Sequence, residues 1–496
     1  MGMTMPEVSV IIPAHNGARH LPATLQSLLG QTFDDFEVIV VDDGSTDDTP
    51  ALVRQAGDRR IRLLSHERNL GADRARNTGI CAASGSVLAF LDQDDLFHPD
   101  KLRAHVEFLR AHPDIGFTYN AHFDLHYSSD KIRGLWRPPR VLTLADLLLG
   151  FPIAPSDMVT TKRWASAIGM WPGFRGSEYV FLGRLWLAGC KFACIDRALN
   201  YRRYHSGRVY RDVAAYCASE IAAQQTVFAD PRVPEDVRQL RDIAFANTNL
   251  VWAYHALAQN ETALGQRLLH ETMRLNPATV GNRGRTLLEL LIDHSTADEN
   301  LDHETLLARI FSQLPPDLAW LSERYPWAIA HGCLWRGARA VIWGQAEDGR
   351  RHFARAGALG AESDEPFIQR LTHELLSHEK EYGALAGETV RDALFPFLRQ
   401  IGGAAAVRNL KGCYAINRAF ASYRRQRYRE VPALVLRAFA NDPRYLLNRG
   451  AFSILLRSLT GTGRTDFRPE SVPEGRLNHM PPPEGKRRTG PAGGRQ

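Results

Sequence analysis

The sequence has no long apolar run, few cysteines and almost no excess of charge, and each shortage removes a class of protein. No stretch approaches the ~20 apolar residues that a bilayer-spanning helix needs, so any membrane contact is expected to be peripheral. The six cysteines stand apart at 81, 190, 194, 217, 333 and 413. They form no CxxC pair and no group with metal-ligand spacing, which excludes a disulfide framework or a zinc module as the organising device. Residues 1–6 carry no basic patch leading into an apolar core, so no secretory leader is expected. The predicted compartment is the cytoplasm, with any membrane contact at its inner face. The balance of 61 basic against 55 acidic residues leaves a net charge of +6. That is too mild to argue for nucleic acid, and it suits a nucleotide or an acidic lipid surface.

What is present is ordinary for folded protein. With 496 residues, 44% hydrophobic and 23% charged, the chain is expected to form two or three domains. The first third alternates short apolar runs with helical patterns. Val8–Ile12 reads as a buried strand, followed by a helix with Leu21, Leu25, Leu28 and Leu29 on one face. Phe36–Val41, Ile61–Ser65 and Val87–Leu91 read as further strands, and a helix is expected near Ala72–Ala83. Uniformly apolar strands alternating with helices predict an α/β fold with a mostly parallel sheet covered on both faces. Ligands gather beyond the carboxyl ends of such strands, and the polar clusters lie there.

From about residue 211 strand patterns vanish and an all-α region is expected to residue 459. Three stretches (247–277, 331–360 and 415–443) share an aromatic-bearing helix, a polar break and a second helix. They resemble tetratricopeptide-type hairpins of about 34 residues. The irregular spacing leaves a repeat superhelix and an unrelated bundle both open. Residues 460–496, rich in Pro, Gly and Arg, read as a disordered basic tail.

Chemistry concentrates in acidic turns. Leu91-Asp92-Gln93-Asp94-Asp95 puts three carboxylates just past a strand. In an extended chain Asp92 and Asp94 project to one side and could converge on a hard cation, Mn²⁺ or Mg²⁺, shared with substrate phosphates. A solvated acidic turn is the plain alternative. Asp42-Asp43 could accept hydrogen bonds from a nucleoside or serve as a helix cap. Asn69-Leu70-Gly71, with Arg74 and Arg76 opening a helix, suits an anionic diphosphate.

In order, Val8 to Asn16, Asp42-Asp43-Gly44-Ser45, Asn69-x-Gly71 with Ala75-Arg76-Asn77-x-Gly79, and Asp92-x-Asp94-Asp95 resemble the family 2 glycosyltransferases. The likeness runs over roughly residues 6–120, and more weakly to 210. It implies a GT-A fold for residues 1–210 and a nucleotide-sugar donor. It also implies that Pro13, Asn16, Asp42, Asp43 and Arg76 line the donor pocket, and that Asp92 and Asp94 meet ribose and metal. The family's general base lies in a Glu-Asp pair ahead of a helix ending Leu-Ala-Gly. Here Ser177-Glu178 stands at that place before Leu187-Ala188-Gly189, so Glu178 takes the role of base or is structural. Trp171 to Phe174, just before, would shape an acceptor pocket or belong to the core. Tyr201-Arg202-Arg203-Tyr204-His205 resembles the family's Tyr-Arg-x-His element with one residue extra, which makes His205 a metal ligand or a structural residue.

The resemblance implies transfer of a sugar to an acceptor hydroxyl with inversion. The acceptor, whether glycan, lipid-linked or protein, is not named by it, and the helical region could mediate self-association. Two rivals remain. One is an inactive GT-A domain in a helical scaffold protein, suggested by the altered Ser177-Glu178 pair. The other is a nucleotidyltransferase, which would want a glycine-rich basic loop after the first strand.

Overall fold

Four short apolar runs become the parallel half of one sheet. In the computed structural model, which describes residues 5–460 apart from 128, 151–152, 174–175, 205–211, 282 and 298–301, these are β1 (Val8–Ala14), β2 (Phe36–Asp42), β3 (Ile61–Ser65) and β4 (Val87–Phe90). Five more strands follow: β5 (Leu96–Phe97), β6 (Ile115–His126), β7 (Ile132–Trp136), β8 (Met158–Thr161) and β9 (Lys191–Tyr204). The sheet order is β3-β2-β1-β4-β8-β6-β9-β5, with β7 hairpinned onto β6. β8 runs antiparallel to both β4 and β6, while β6 and β9 are parallel. Every residue of β1 and β2 is buried, because helices cover both faces.

Side-chain alternation decides which helix covers what. Val8, Val10 and Ile12 meet α1 (Leu21–Leu29), α2 (Thr49–Gln55) and α4 (Lys101–Ala111) on one face. Ile11, Ile39 and Val41 meet α3 (Ala72–Ala82) on the other, with α5 (Leu144–Gly150), α6 (Lys162–Ala167) and α7 (Ser177–Leu187) beyond it. Helix α3 lies so close to β1 that a Cβ on Gly79 would come within 2.5 Å of Ile11 Cγ2. Only glycine permits that approach.

The other half of the sheet is polar inside. Lys101 Nζ donates to Asn120 Oδ1 at 2.5 Å, and Asn120 Nδ2 donates to Asn200 Oδ1 at 2.6 Å. Asn200 Nδ2 in turn donates to Asp157, whose carboxylate also meets His122 Nδ1 at 2.9 Å. Each polar group has a partner, which is the condition for burying such groups at tolerable cost.

Beyond residue 211 all described elements are helical, starting with α8 (Val213–Phe228). The three similar stretches each form a helical hairpin: Arg241–Ala258 with Thr262–Leu275, Tyr325–Ile342 with Ala346–Ala358, and the end of Phe395–Arg424 with Val431–Asn441. Two of them close alike, Asn276 and Asp442 each accepting a backbone N–H two residues on, across Pro277 and Pro443. Other helices separate the hairpins, so they do not stack as a uniform tandem. Among the described residues, no helix is long and apolar enough to cross a membrane.

The helices are joined firmly to the sheet. Phe228 and Phe245 belong to the same apolar core as Ile11 and Phe90. Arg137, just after β7, donates to Ser377 Oγ at 2.8 Å and to Glu381 at 2.5 Å, and Glu381 also accepts from the β9 backbone at Ala198.

Candidate active site

The acidic segment after β4 is a tight turn and not the extended chain that the spacing argument assumed. Asp95 N–H donates to the Asp92 carbonyl at 3.1 Å, and this closure brings the carboxylates to one end of the sheet. The turn is braced from two other segments. Ser156 Oγ donates to Asp95 Oδ2 at 2.6 Å and accepts from Asp92 N–H at 3.1 Å. Arg203, at the end of β9, donates its backbone N–H to Asp95 Oδ1 at 2.9 Å, and its guanidinium holds the Asp94 carbonyl and both oxygens of Asp130. Asp95 is therefore internal. Burial, with the charges of Asp94 and Asp92, pushes its carboxyl well above the usual carboxylate range. Asp92 stays open, its side chain about a third exposed at 32%, and Asp94 is half-buried.

Arg76 is the hub. Its guanidinium donates to Asp73 at 3.0 Å and to Asp92 at 2.8 Å, and lies over the Trp171 ring at 4.8 Å. Glu178, in the first turn of α7, is also within its field. Burial raises the carboxyls of Asp73 and Glu178 above their ordinary values, and Arg76 opposes the shift in both. Three carboxylates from three segments thus share one buried cation.

The local sequence explains how Glu178 gets there. Asn77 exchanges two hydrogen bonds with the Trp171 backbone, at 2.8 and 3.0 Å, and so fastens the segment before α7 to α3. Ser177 then bonds to Asp73, so the serine at the altered position ties α7 to α3. Trp171 itself is core, stacked on Phe181 at 4.4 Å and edge-on to Phe90 at 5.5 Å. It shapes no open pocket, and Phe174 lies outside the described residues. Behind α7, Glu220 of α8 accepts from Trp252 Nε1 at 2.9 Å. Burial and the charge of Glu178 push its carboxyl up to about 7. A Cβ on Gly176 would lie 3.1 Å from Glu220 Cα.

The other expected donor residues meet at the ends of β1 and β2. Pro13 is in β1 beside Val41, and Ala14 pairs with Asp42. Asn16 adopts a left-handed conformation (φ 50°) and accepts from Thr46 N–H at 2.8 Å, joining the two loops. Asp42 accepts from Ser45 N–H at 3.2 Å. Asp43 spends its carboxylate within the fold, on His66 Nδ1 and on the N–H groups of Leu70 and Gly71 at 2.7–2.9 Å. That ties the Asn69–Gly71 turn to β2. His205 lies outside the described residues, one position past the end of β9.

The donor set suits a hard divalent cation. Its described members offer oxygen ligands, and the repulsion that adds to burial in raising Asp95 is what a bound cation would relieve. Asp92 and Asp94 would hold it. Sequence reasoning did not single out Asp73 or Ser156, although Asp73 sits inside the Asn69–Gly79 motif. Nor did it foresee His303, Glu304 and Cys333 meeting in the helical region, with ligand atoms within 4.8 Å. Glu304 is engaged there by Arg355 at 2.7 Å and His303 by the Ile329 carbonyl at 3.2 Å, so that group is satisfied internally.

Comparison with known proteins gives a consistent answer. The sequence model described as glycosyl transferase family 2 matches residues 9–163. The succinoglycan biosynthesis protein ExoO of Rhizobium meliloti is 45% identical over 103 residues, 21% of this chain and 30% of that one. The UDP-Glc:alpha-D-GlcNAc-diphosphoundecaprenol beta-1,3-glucosyltransferase WfgD of Escherichia coli is 36% identical over 141 residues, 28% of this chain and 54% of that one. An uncharacterized glycosyltransferase of Nostoc sp. is 38% identical over 243 residues, 44% of this chain and 71% of the relative. The chain thus matches about a third of the first of these proteins and about half of the second.

Proposed function

The chain belongs to glycosyl transferase family 2, and on that premise we propose that it moves a sugar from a nucleoside-diphosphate donor to an acceptor hydroxyl with inversion. The observation that carries the proposal is the convergence of Asp92, Asp73 and Glu178 on Arg76 at the carboxyl end of β4. The nucleoside lies against the loops after β1 and β2, among Pro13, Asn16, Asp42 and Asp43. Asp92 and Asp94 would hold Mn²⁺ or Mg²⁺, with His205 as a further ligand. When bound, the ion neutralises charge that develops on the leaving nucleoside diphosphate.

The protein's own groups supply the rest. Arg76 orients Asp92 by a charged hydrogen bond. Glu178 removes the proton from the acceptor hydroxyl as that oxygen attacks the anomeric carbon. Burial raises its proton affinity, as a general base requires. One displacement on the face opposite the leaving group inverts the anomeric centre. WfgD is named for a diphosphoundecaprenol-linked acceptor. We carry that class over, so the acceptor is a lipid-linked glycan met at the inner membrane face.

The test is calorimetric binding of a panel of nucleotide sugars, with and without Mn²⁺ or Mg²⁺, followed by release of nucleoside diphosphate. One donor should bind only with metal. Asp94→Ala should abolish that binding, and Glu178→Gln should spare binding while lowering turnover by about 10²–10⁴-fold. Binding with no turnover in the wild type, across lipid-linked, free-glycan and protein acceptors, would favour an inactive domain in a scaffold. No binding under any metal condition would refute the proposal.

A further inference from the structure

The charge of the chain is not spread evenly. Between Arg408 and Thr460 there are eleven Arg or Lys against two acidic residues, Glu430 and Asp442, while all other residues together carry 50 basic and 53 acidic. The net positive charge of the whole protein therefore arises in this segment and, to a lesser extent, in the basic tail after it. Several of its arginines have little to do inside the fold. Arg424, Arg425, Arg429, Arg437 and Arg449 are exposed and make no ion pair among the described residues.

The same segment is unusually apolar outside. Of twelve exposed large hydrophobic side chains among the described residues, six fall here: Leu436, Leu446, Leu447, Phe452, Leu456 and Leu459, from 40% to 87% exposed. In the last helix, Arg449–Thr460, Ala451 and Ile454 face inward onto the small core around Val431 and Val435. Phe452, Leu456 and Leu459 follow at spacings of four and three, so they form a second stripe, turned outward, and Arg449 heads it. The outer stripe of a helix on a water-soluble protein is polar. Here it is apolar with arginines around it, the composition of a helix that lies in a lipid interface.

We propose that residues 424–460 form a docking face for an anionic lipid surface. Leu447, Phe452, Leu456 and Leu459 enter the interface, and the unpaired arginines lie level with the lipid phosphates. Charge selects this occupant. A second copy of the chain would bring two faces of the same sign together. A polyanion in water would use the arginines and leave the leucines exposed. Only a surface that is both anionic and apolar satisfies the two features at once. The proposal does not rest on the catalytic reading, since docking needs neither donor nor metal.

The experiment is flotation of the full-length protein with phosphatidylcholine vesicles and with vesicles containing about a third phosphatidylglycerol. Wild type is compared with Leu447→Ser/Leu456→Ser and Arg425→Glu/Arg437→Glu. All four positions are exposed, so both variants should keep the wild-type melting temperature and donor binding. We expect at least tenfold stronger recovery with the anionic vesicles, weakening as salt rises, and at least a tenfold loss in each variant. Three results would overturn the proposal. One is no preference for anionic vesicles. Another is binding unaffected by both variants, which would place the contact elsewhere, as on the basic tail. The third is a concentration-dependent dimer lost in the leucine variant without vesicle binding, which would make the face a self-association surface.

Discussion

The buried carboxyl of Glu220 gives a prediction whose sign and size follow from its surroundings. It sits behind α7, bonded to Trp252 Nε1 at 2.9 Å, and its proton is held up to about 7 instead of the ordinary 4.5. Between those two values the folded protein keeps a proton that the unfolded chain releases. This contribution to stability is therefore fully present below pH ~4.5, declines as pH rises, and is gone above about 7. The shift corresponds to at most about 3 kcal/mol. Glu220→Gln keeps the acceptor for Trp252 and removes the titration. At pH 4.5 variant and wild type should melt alike, and at pH 8 the variant should be more stable by up to that amount. With an unfolding entropy of about 2 cal/mol/K per residue, a chain of this length melting as one unit would gain about 3 °C. Differential scanning calorimetry from pH 4.5 to 8.5 measures it. The quantity to read is the gap between the two proteins, in which other titrating groups cancel. A gap that stays constant across this range would refute the assignment of a neutral, buried Glu220.

Arg76→Met should cost about 3–5 kcal/mol in chemical denaturation, because Asp73, Asp92 and Glu178 lose their shared cation; Arg76→Lys should recover part of that but not the two-pronged bond to Asp73 and Asp92. Asp43→Asn replaces an acceptor facing three donors, so a loss of about 1–3 kcal/mol is expected, together with faster amide exchange at Leu70 and Gly71. Gly79→Ala sets a Cβ against Ile11 and should destabilise by about 1–3 kcal/mol, read as a lower melting temperature without a change in metal requirement.

Much of this arrangement was readable from residues, for reasons that differ by region. β1, β2 and β4 are continuous apolar runs because both faces of the sheet are buried there, and the partly exposed edge strand Ile61–Ser65 was placed to the residue. The acidic turn was visible because nothing apolar could hide three carboxylates after a strand. β6 and β9 were not visible. Their buried positions hold Thr118, Asn120, His122 and Asn200, which read as loop until each finds its partner across the sheet. Asp73 escaped notice for a related reason. Its ion pair with Arg76 is local, but its bond to Ser177 spans about a hundred positions, and no local spacing encodes that second pairing. The position where Ser177 departs from the family pattern thus has a physical account, since the hydroxyl joins α7 to α3.

The way α8 meets the sheet bears on how this protein could be taken apart or recombined. Gly183 of α7 admits Val227 so closely that a Cβ there would lie 2.9 Å from its methyls, and Gln224 and Asn247 donate to the carbonyls that end α5. A polypeptide stopped after β9 would leave those carbonyls unpaired, bare the apolar flank of α7 and lose the support behind Glu178. The sheet-bearing half is thus not a portable cassette. Swapping it onto another helical partner would require carrying α8 and the helix Arg241–Ala258 with it, and a lineage that shuffled such halves would have had to cut beyond residue 258 and not at the end of the sheet.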